Sequence, residues 1–146
     1  MLRRINKELE MCKTDDTMRN FGMQLEVSAP DTWLVHILCP PGCIYENESY
    51  TLRVVFGPNY PIESPEVVFI GSSPVHPHVY SNGHICLNIL YDDWSPALTV
   101  QSICLSLVSM LYSATEKVRP PDNTSYTSVS RGSPKNTRFI FHDDTV

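Results

Sequence analysis

Residues 75–98 read VHPHVYSNGHICLNILYDDWSPAL, and they decide the fold. The regular hydrophobic period seen on either side is lost between Gly71 and Pro96. This stretch holds Pro74, Pro77, Gly83, Pro96, Cys86, Trp94 and three of the chain's five histidines. A long irregular segment inside a small domain is usually functional or disordered, and this one is too rich in apolar and aromatic residues for a floppy linker. Asn82-Gly83 is a tight-turn signal, because both residues tolerate positive φ. The turn delivers the chain into His84-Ile85-Cys86-Leu87. The thiol is therefore expected near the surface among polar groups, a setting that suits a reactive cysteine better than a structural one.

Three chemistries compete for these residues. His76, His78, His84 and Cys86 have spacings that can chelate zinc, although no CxxC pair supports a metal site. A cysteine hydrolase would need a histidine base and an orienting Asp or Asn, which the sequence cannot bring together. A cysteine that takes an acyl group by transthiolation needs no dedicated base, since thioester exchange depends mainly on thiolate fraction and access.

Outward from this segment the patterns become regular. Upstream, Gly22–Ser28, Trp33–Leu38, Tyr50–Phe56 and Val67–Ile70 read as strands. They are separated by turn signals at Pro30-Asp31, Pro40-Pro41-Gly42 and Gly57-Pro58-Asn59, with Pro61 and Pro65 before the last. Close-spaced strands in succession predict an antiparallel meander. Before them, Leu2, Ile5, Leu9 and Cys12 recur at helical spacing over residues 2–12, with Arg3, Arg4, Lys7, Glu8 and Glu10 on the remaining, solvated faces. Downstream, Val100, Ile103, Cys104, Leu107, Val108 and Leu111 give residues 99–112 a broad apolar face, so this helix is expected to be central and buried. Beyond Ser113 the chain is polar, and it closes on the apolar patch Phe139-Ile140-Phe141.

The 146 residues fit one domain over 1–146, with 42% hydrophobic residues for its core. A net charge of −5 argues against nucleic acid as a partner, because phosphate binding needs clustered Lys and Arg. A basic surface can only be local, and Arg3, Arg4 and Lys7 are its candidates. No run approaches the roughly 20 apolar residues of a membrane span, and Arg3-Arg4 have no apolar stretch behind them. A soluble protein of the cytoplasm and nucleus is expected, with no membrane partner. Cys12, Cys39, Cys43, Cys86 and Cys104 form no disulfide framework. All but Cys86 are expected as small buried hydrophobes.

Several of these pieces are those of a known family. Arg4-Ile5-x-Lys7-Glu8-Leu9, Tyr60-Pro61-x-x-x-Pro65, His76-Pro77, Ser81-Asn82-Gly83-x-Ile85-Cys86-Leu87 and Trp94-Ser95-Pro96-Ala97-Leu98 occur in the order and spacing of the ubiquitin-conjugating enzymes. The chain resembles that family over nearly its whole length, and within it the W-type branch. With that branch it shares His76–Leu87, Arg119-Pro-Pro-Asp-Asn123 and the end His142–Thr145. The resemblance implies an α/β (α+β) fold with an N-terminal helix, a four-stranded antiparallel meander, a crossover segment holding the cysteine, a central helix and a shortened C-terminal region. It implies that Cys86 takes ubiquitin from an activating enzyme as a thioester, with His78, Asn82 and Asn88 in the catalytic set and no metal or other cofactor. It makes Arg3, Arg4 and Lys7 the surface for the activating enzyme, and Ile62, Ser95, Pro96 and Ala97 the surface for RING or U-box ligases.

The chain departs from the common family pattern around the amine-transfer step. His78 stands where most members have Asn, Asn88 where most have Asp, and Ile62 where most have Phe. The acidic residue that usually follows the central helix has its counterpart somewhere in Pro121-Asp122-Asn123, and the two C-terminal helices of the family are expected to give way to a short tail. W-type members share such departures and act on the α-amino group of flexible protein N-termini. An α-amine has a pKa of about 7.7–8 against about 10.4 for lysine. Near neutrality its free form is therefore roughly a hundredfold more populated, and it needs less help from an acidic pocket. His78 would relay a proton or simply brace the loop. A lysine-directed conjugating enzyme, an enzyme for a related modifier, and a non-catalytic ubiquitin-binding protein of the same fold are the alternatives.

Overall fold

The strand pattern read from the sequence is realised as one antiparallel sheet in the order β1-β2-β3-β4. The computed structural model describes residues 2–130 and 132–136, and the Phe139–Phe141 patch and His142–Thr145 lie outside them. The strands are β1 (Met23–Ala29), β2 (Thr32–Leu38), β3 (Ser49–Val55) and β4 (Glu66–Ile70). Trp33 faces Val54 and Val35 faces Leu52 across the β2–β3 register. Alternation at period two puts Trp33, Val35, Ile37, Leu52 and Val54 on the buried side of the sheet.

Helix α3 (Val100–Tyr112) shares one core with this face. Ile103, Cys104, Leu107, Val108 and Leu111 are all buried in the same hydrophobic cluster as the strand residues. Its start is fixed by a capping box: the Thr99 side chain accepts from the Ser102 amide at 3.1 Å, while Ser102 Oγ accepts from the Thr99 amide at 2.7 Å.

Helix α1 (Leu2–Thr14) runs one half-turn beyond the predicted boundary. Its Thr14 hydroxyl donates to the Glu10 carbonyl at 3.1 Å, a bond that lets a β-branched polar residue close the last turn. The predicted break at Asp15–Asp16 is present, but Asp15 accepts from the Thr17 amide at 2.8 Å and starts a further short turn of helix, α2 (Thr17–Asn20).

Glu8 corrects the expectation of a solvated helix face. It is 3% exposed. One carboxylate oxygen accepts from the Val100 amide at 2.8 Å, and the other takes Arg4 Nε at 2.8 Å and the Tyr60 hydroxyl. A negative group at the first turn of α3 satisfies an amide that has no partner within its own helix. Glu8 thereby ties α1, α3 and the loop before β4 together.

The chain after α3 also differs from the expected tail. Asn123–Val129 forms a seven-residue helix, α4, with Tyr126 as its buried residue, and a short turn at Pro134–Asn136 follows. The Ser- and Thr-rich composition hides this helix, because such residues score poorly in helix interiors. Here their hydroxyls return to the preceding turn, as Thr127 Oγ1 does to the Asn123 carbonyl at 2.8 Å.

Candidate active site

The segment between β4 and α3 is irregular but tightly bonded. The Tyr80 carbonyl accepts from the Gly83 amide at 3.0 Å, closing the turn the sequence predicts at Asn82-Gly83. The Asn82 side chain accepts from the His84 amide at 3.1 Å. Asn82 is exposed, so its visible work is to shape the turn. Gly83 sits at φ 92°, and its backbone packs on β4: the Phe69 amide donates to the Gly83 carbonyl at 3.0 Å. A Cβ at Gly83 would lie 2.1 Å from the Phe69 carbonyl oxygen, which leaves glycine as the residue that fits.

His76 is fully buried, and both of its ring nitrogens are engaged. The His78 amide donates to Nδ1 at 2.9 Å, which places the ring hydrogen on Nε2, where it donates to the Met110 carbonyl at 3.1 Å. Burial pushes its pKa down to about 4. A neutral imidazole in this position clamps the segment to α3. With both nitrogens bonded it has no lone pair for a metal, and among the described residues no group of three or more His, Cys, Asp or Glu could hold one. His78 is 2% exposed, and its carbonyl accepts from the Cys86 amide at 2.8 Å. The two residues are thus adjacent through the backbone.

Cys86 departs from the expected surface position. It is 2% exposed and lies in an aromatic cluster of its own with Tyr80 and Tyr126, against which Tyr91 packs. Tyr91 donates its hydroxyl to the Ile85 carbonyl at 2.7 Å. Tyr80 and Tyr126 stack at 3.9 Å and 25° between planes. Tyr126 Oη lies 2.6 Å from His84 Nδ1, and burial lowers the His84 pKa. Of the other cysteines, Cys39 and Cys104 are buried as expected, whereas Cys12 and Cys43 are only half-buried; burial raises the pKa of Cys12 and Cys39 to about 11 and that of Cys104 to about 12.

The residues that fasten α4 to this segment come from the Arg119–Asn123 run, which the sequence marks as a shared motif and as the place of the expected acidic residue. Arg119 Nη1 donates to Ser73 Oγ at 3.2 Å and to the carbonyls of Pro74 at 2.9 Å and Val79 at 3.2 Å, and Nη2 donates to the Ser73 carbonyl at 3.3 Å. Both Asp122 carboxylate oxygens lie against the Tyr80 hydroxyl, at 2.9 and 3.1 Å. The Asn123 side chain bonds both the amide and the hydroxyl of Ser81, at 2.9 and 3.2 Å. Asn88 opens a short helical turn through Leu90 and donates to the Asp93 carboxylate at 2.7 Å.

The two predicted partner surfaces adjoin in the fold. Arg4 Nη2 donates to the carbonyls of Pro96 and Leu98, each at 2.8 Å, so Arg4 is a brace between α1 and the Ser95–Leu98 loop. Arg3 and Lys7 are exposed, and Lys7 lines one groove with Arg4, Pro96 and Ala97. Ile62 is 73% exposed. Its loop is fastened to the Trp94 side by Trp94 Nε1, which donates to the Pro61 carbonyl at 2.9 Å, and by Ser64 Oγ, which donates to the Leu90 carbonyl at 2.7 Å.

Comparison with known proteins agrees with this architecture. Residues 4–139 match the family model described as ubiquitin-conjugating enzyme. The chain is 49% identical to a probable ubiquitin-conjugating enzyme E2 W-A of Danio rerio, over 99% of this chain and 97% of that one. It is 44% identical to the ubiquitin-conjugating enzyme E2 W of Caenorhabditis elegans, over 99% and 96%. Among solved structures, the E2 UbcA1 of Agrocybe aegerita superposes with a TM-score of 0.84 at 41% identity, covering 91% of this chain and 96% of that one. With this sheet, this cysteine-bearing crossover and these relatives, the chain belongs to the ubiquitin-conjugating enzyme family, among its W-type members: it is an E2, a ubiquitin transferase that works with ubiquitin, an activating enzyme and ubiquitin ligases.

Proposed function

We propose that Cys86 carries ubiquitin as a thioester and passes it to the α-amino group of flexible substrate N-termini. Cys86 loses its proton and its sulfur attacks the ubiquitin C-terminal carbonyl held as a thioester on the activating enzyme. The new C–S bond forms as the old one breaks, and the activating enzyme's cysteine departs as a thiolate. The acceptor amine then attacks the same carbonyl, an amide forms, Cys86 leaves as a thiolate, and the amine gives up a proton to water. Arg3, Arg4 and Lys7 serve the activating enzyme, and Ile62 with Ser95, Pro96 and Ala97 serves ligases of the RING or U-box type.

The observation that carries the α-amine reading is the fate of the acidic groups. Asp122, the acidic residue of the run expected to hold the counterpart of the family's lysine-deprotonating group, has both its oxygens against the Tyr80 hydroxyl. The position two past Cys86 is an amide, Asn88, turned to Asp93. A lysine, protonated at neutral pH, depends on such a group to lose its proton, whereas an α-amine is already partly free.

The test is single-turnover discharge of the charged enzyme onto free lysine and onto a peptide with a free, flexible N-terminus, at equal concentrations. Discharge onto the peptide is expected to be far faster, and acetylating its N-terminus should abolish it even where internal lysines remain. Equal rates would leave a lysine-directed enzyme as the better reading. Cys86→Ser should hold ubiquitin as an oxyester resistant to reducing agent, and Cys86→Ala should form no adduct.

A further inference from the structure

Transthiolation requires the attacking sulfur to come within about 3–3.5 Å of a carbonyl carbon on an open line of approach. In the structure Cys86 is 2% exposed, closed off in a cluster with Tyr80 and Tyr126. A protein-borne carbonyl cannot reach it there, so part of the cover must move. Tyr80 and Tyr91 belong to the crossover segment itself, where the Tyr80 amide donates to the His84 carbonyl at 2.9 Å and the Tyr91 hydroxyl to the Ile85 carbonyl at 2.7 Å. Moving either would take the cysteine loop apart.

Tyr126 is different. It rides on α4, a seven-residue helix in which it is the buried residue, while Thr124, Ser125, Ser128 and Val129 face solvent. A short helix with one buried side chain sits at the low end of local stability. Its N-terminal end is fixed by Arg119, by Asp122 on Tyr80 and by Asn123 on Ser81. Its middle is fastened by the Tyr126 ring on Tyr80 and by the 2.6 Å bond between the Tyr126 hydroxyl and His84 Nδ1. Beyond it, Ser130 Oγ lies 3.3 Å from the same nitrogen, and Lys135 Nζ donates to the Ser64 carbonyl at 2.7 Å.

We propose that α4 is a lid closed over Cys86, hinged at Arg119–Asn123 and latched by Tyr126, which opens to admit ubiquitin and shields the uncharged thiol when shut. The lid rests on the burial of Cys86 and the seat of Tyr126, while its purpose rests on the thioester reading above. Closure scales the reactivity of Cys86 down to the fraction of time the lid stands open.

The experiment is alkylation of the intact, folded protein with iodoacetamide, followed cysteine by cysteine by mass spectrometry, in the wild type, Tyr126→Ala and Tyr126→Phe. Cys104, fully buried in the main core, reports loss of the whole fold. Tyr126→Ala is expected to speed alkylation of Cys86 by at least about tenfold while Cys104 stays protected. An unchanged Cys86 rate with Cys104 protected overturns the lid. If Cys104 becomes reactive in Tyr126→Ala, Tyr126→Phe decides, because it removes only the hydroxyl held by His84: selective acceleration at Cys86 supports the lid and an unchanged rate refutes it. Charging with activating enzyme, ATP and ubiquitin separates the two ideas. Selective alkylation without a reducible adduct would sink the thioester reading and leave the lid standing. An adduct with unchanged alkylation would sink the lid alone.

Discussion

At the scale of the residue, the surroundings of a histidine decide what it does. His76 is a clamp, its ring fixed between the His78 amide and the Met110 carbonyl. Its burial makes a pH prediction with a definite sign. The folded pKa is about 4, while in the unfolded chain it returns to about 6.5. Between those values the unfolded state binds the proton and the folded state does not. Stability is therefore full above pH about 6.5 and is lost as pH falls towards 4, by about 3 kcal/mol for this one group. His84, lowered in the same direction by burial, adds to the loss. Urea unfolding from pH 7 to pH 4.5 should show the decline, and His76→Gln should be less stable at pH 7 but flatter over that window. An equal slope in both proteins would assign the acid sensitivity to other groups.

At the scale of the element, the joint between α1 and α3 is polar at its centre. Glu8 accepts from the first turn of α3 and from Tyr60 while holding Arg4, and Arg4 in turn holds the Ser95–Leu98 loop. Removing the carboxylate would leave the Val100 amide and the Tyr60 hydroxyl buried without it. Glu8→Ala is expected to cost about 3 kcal/mol, read as a shift in the urea midpoint at unchanged slope. Glu8→Gln, which keeps one carbonyl acceptor, should cost clearly less. The same geometry warns against reading Arg4 as a contact residue alone, because its reversal would also release the Pro96 loop.

At the scale of the whole molecule, a net charge of −5 makes the exposed cations of α1 a local exception. Arg3→Glu with Lys7→Glu leaves the Arg4 brace intact. If this face steers the activating enzyme, the double variant should charge with ubiquitin about tenfold more slowly at low salt. The deficit should shrink as salt rises, and discharge of preformed thioester should be unaffected. Normal charging at low salt would remove this face from the encounter. The sequence by itself determined the sheet, because short strand-like runs set close together by turn signals leave an antiparallel meander. It determined α3 through its apolar stripe, and the turn at Asn82-Gly83 through residues that tolerate positive φ. These are local properties, set by neighbours a few positions away. Tertiary structure alone decided that Glu8 is buried, because its three partners include Tyr60 and Val100, far along the chain. It also decided that Cys86 shares a buried cluster with Tyr126, far along the chain. No pattern in a Ser- and Thr-rich segment announces a helix held by one aromatic ring and the hydroxyl of Tyr80. Such a helix forms because its partners wait on another part of the chain, and that information exists only once the chain has folded.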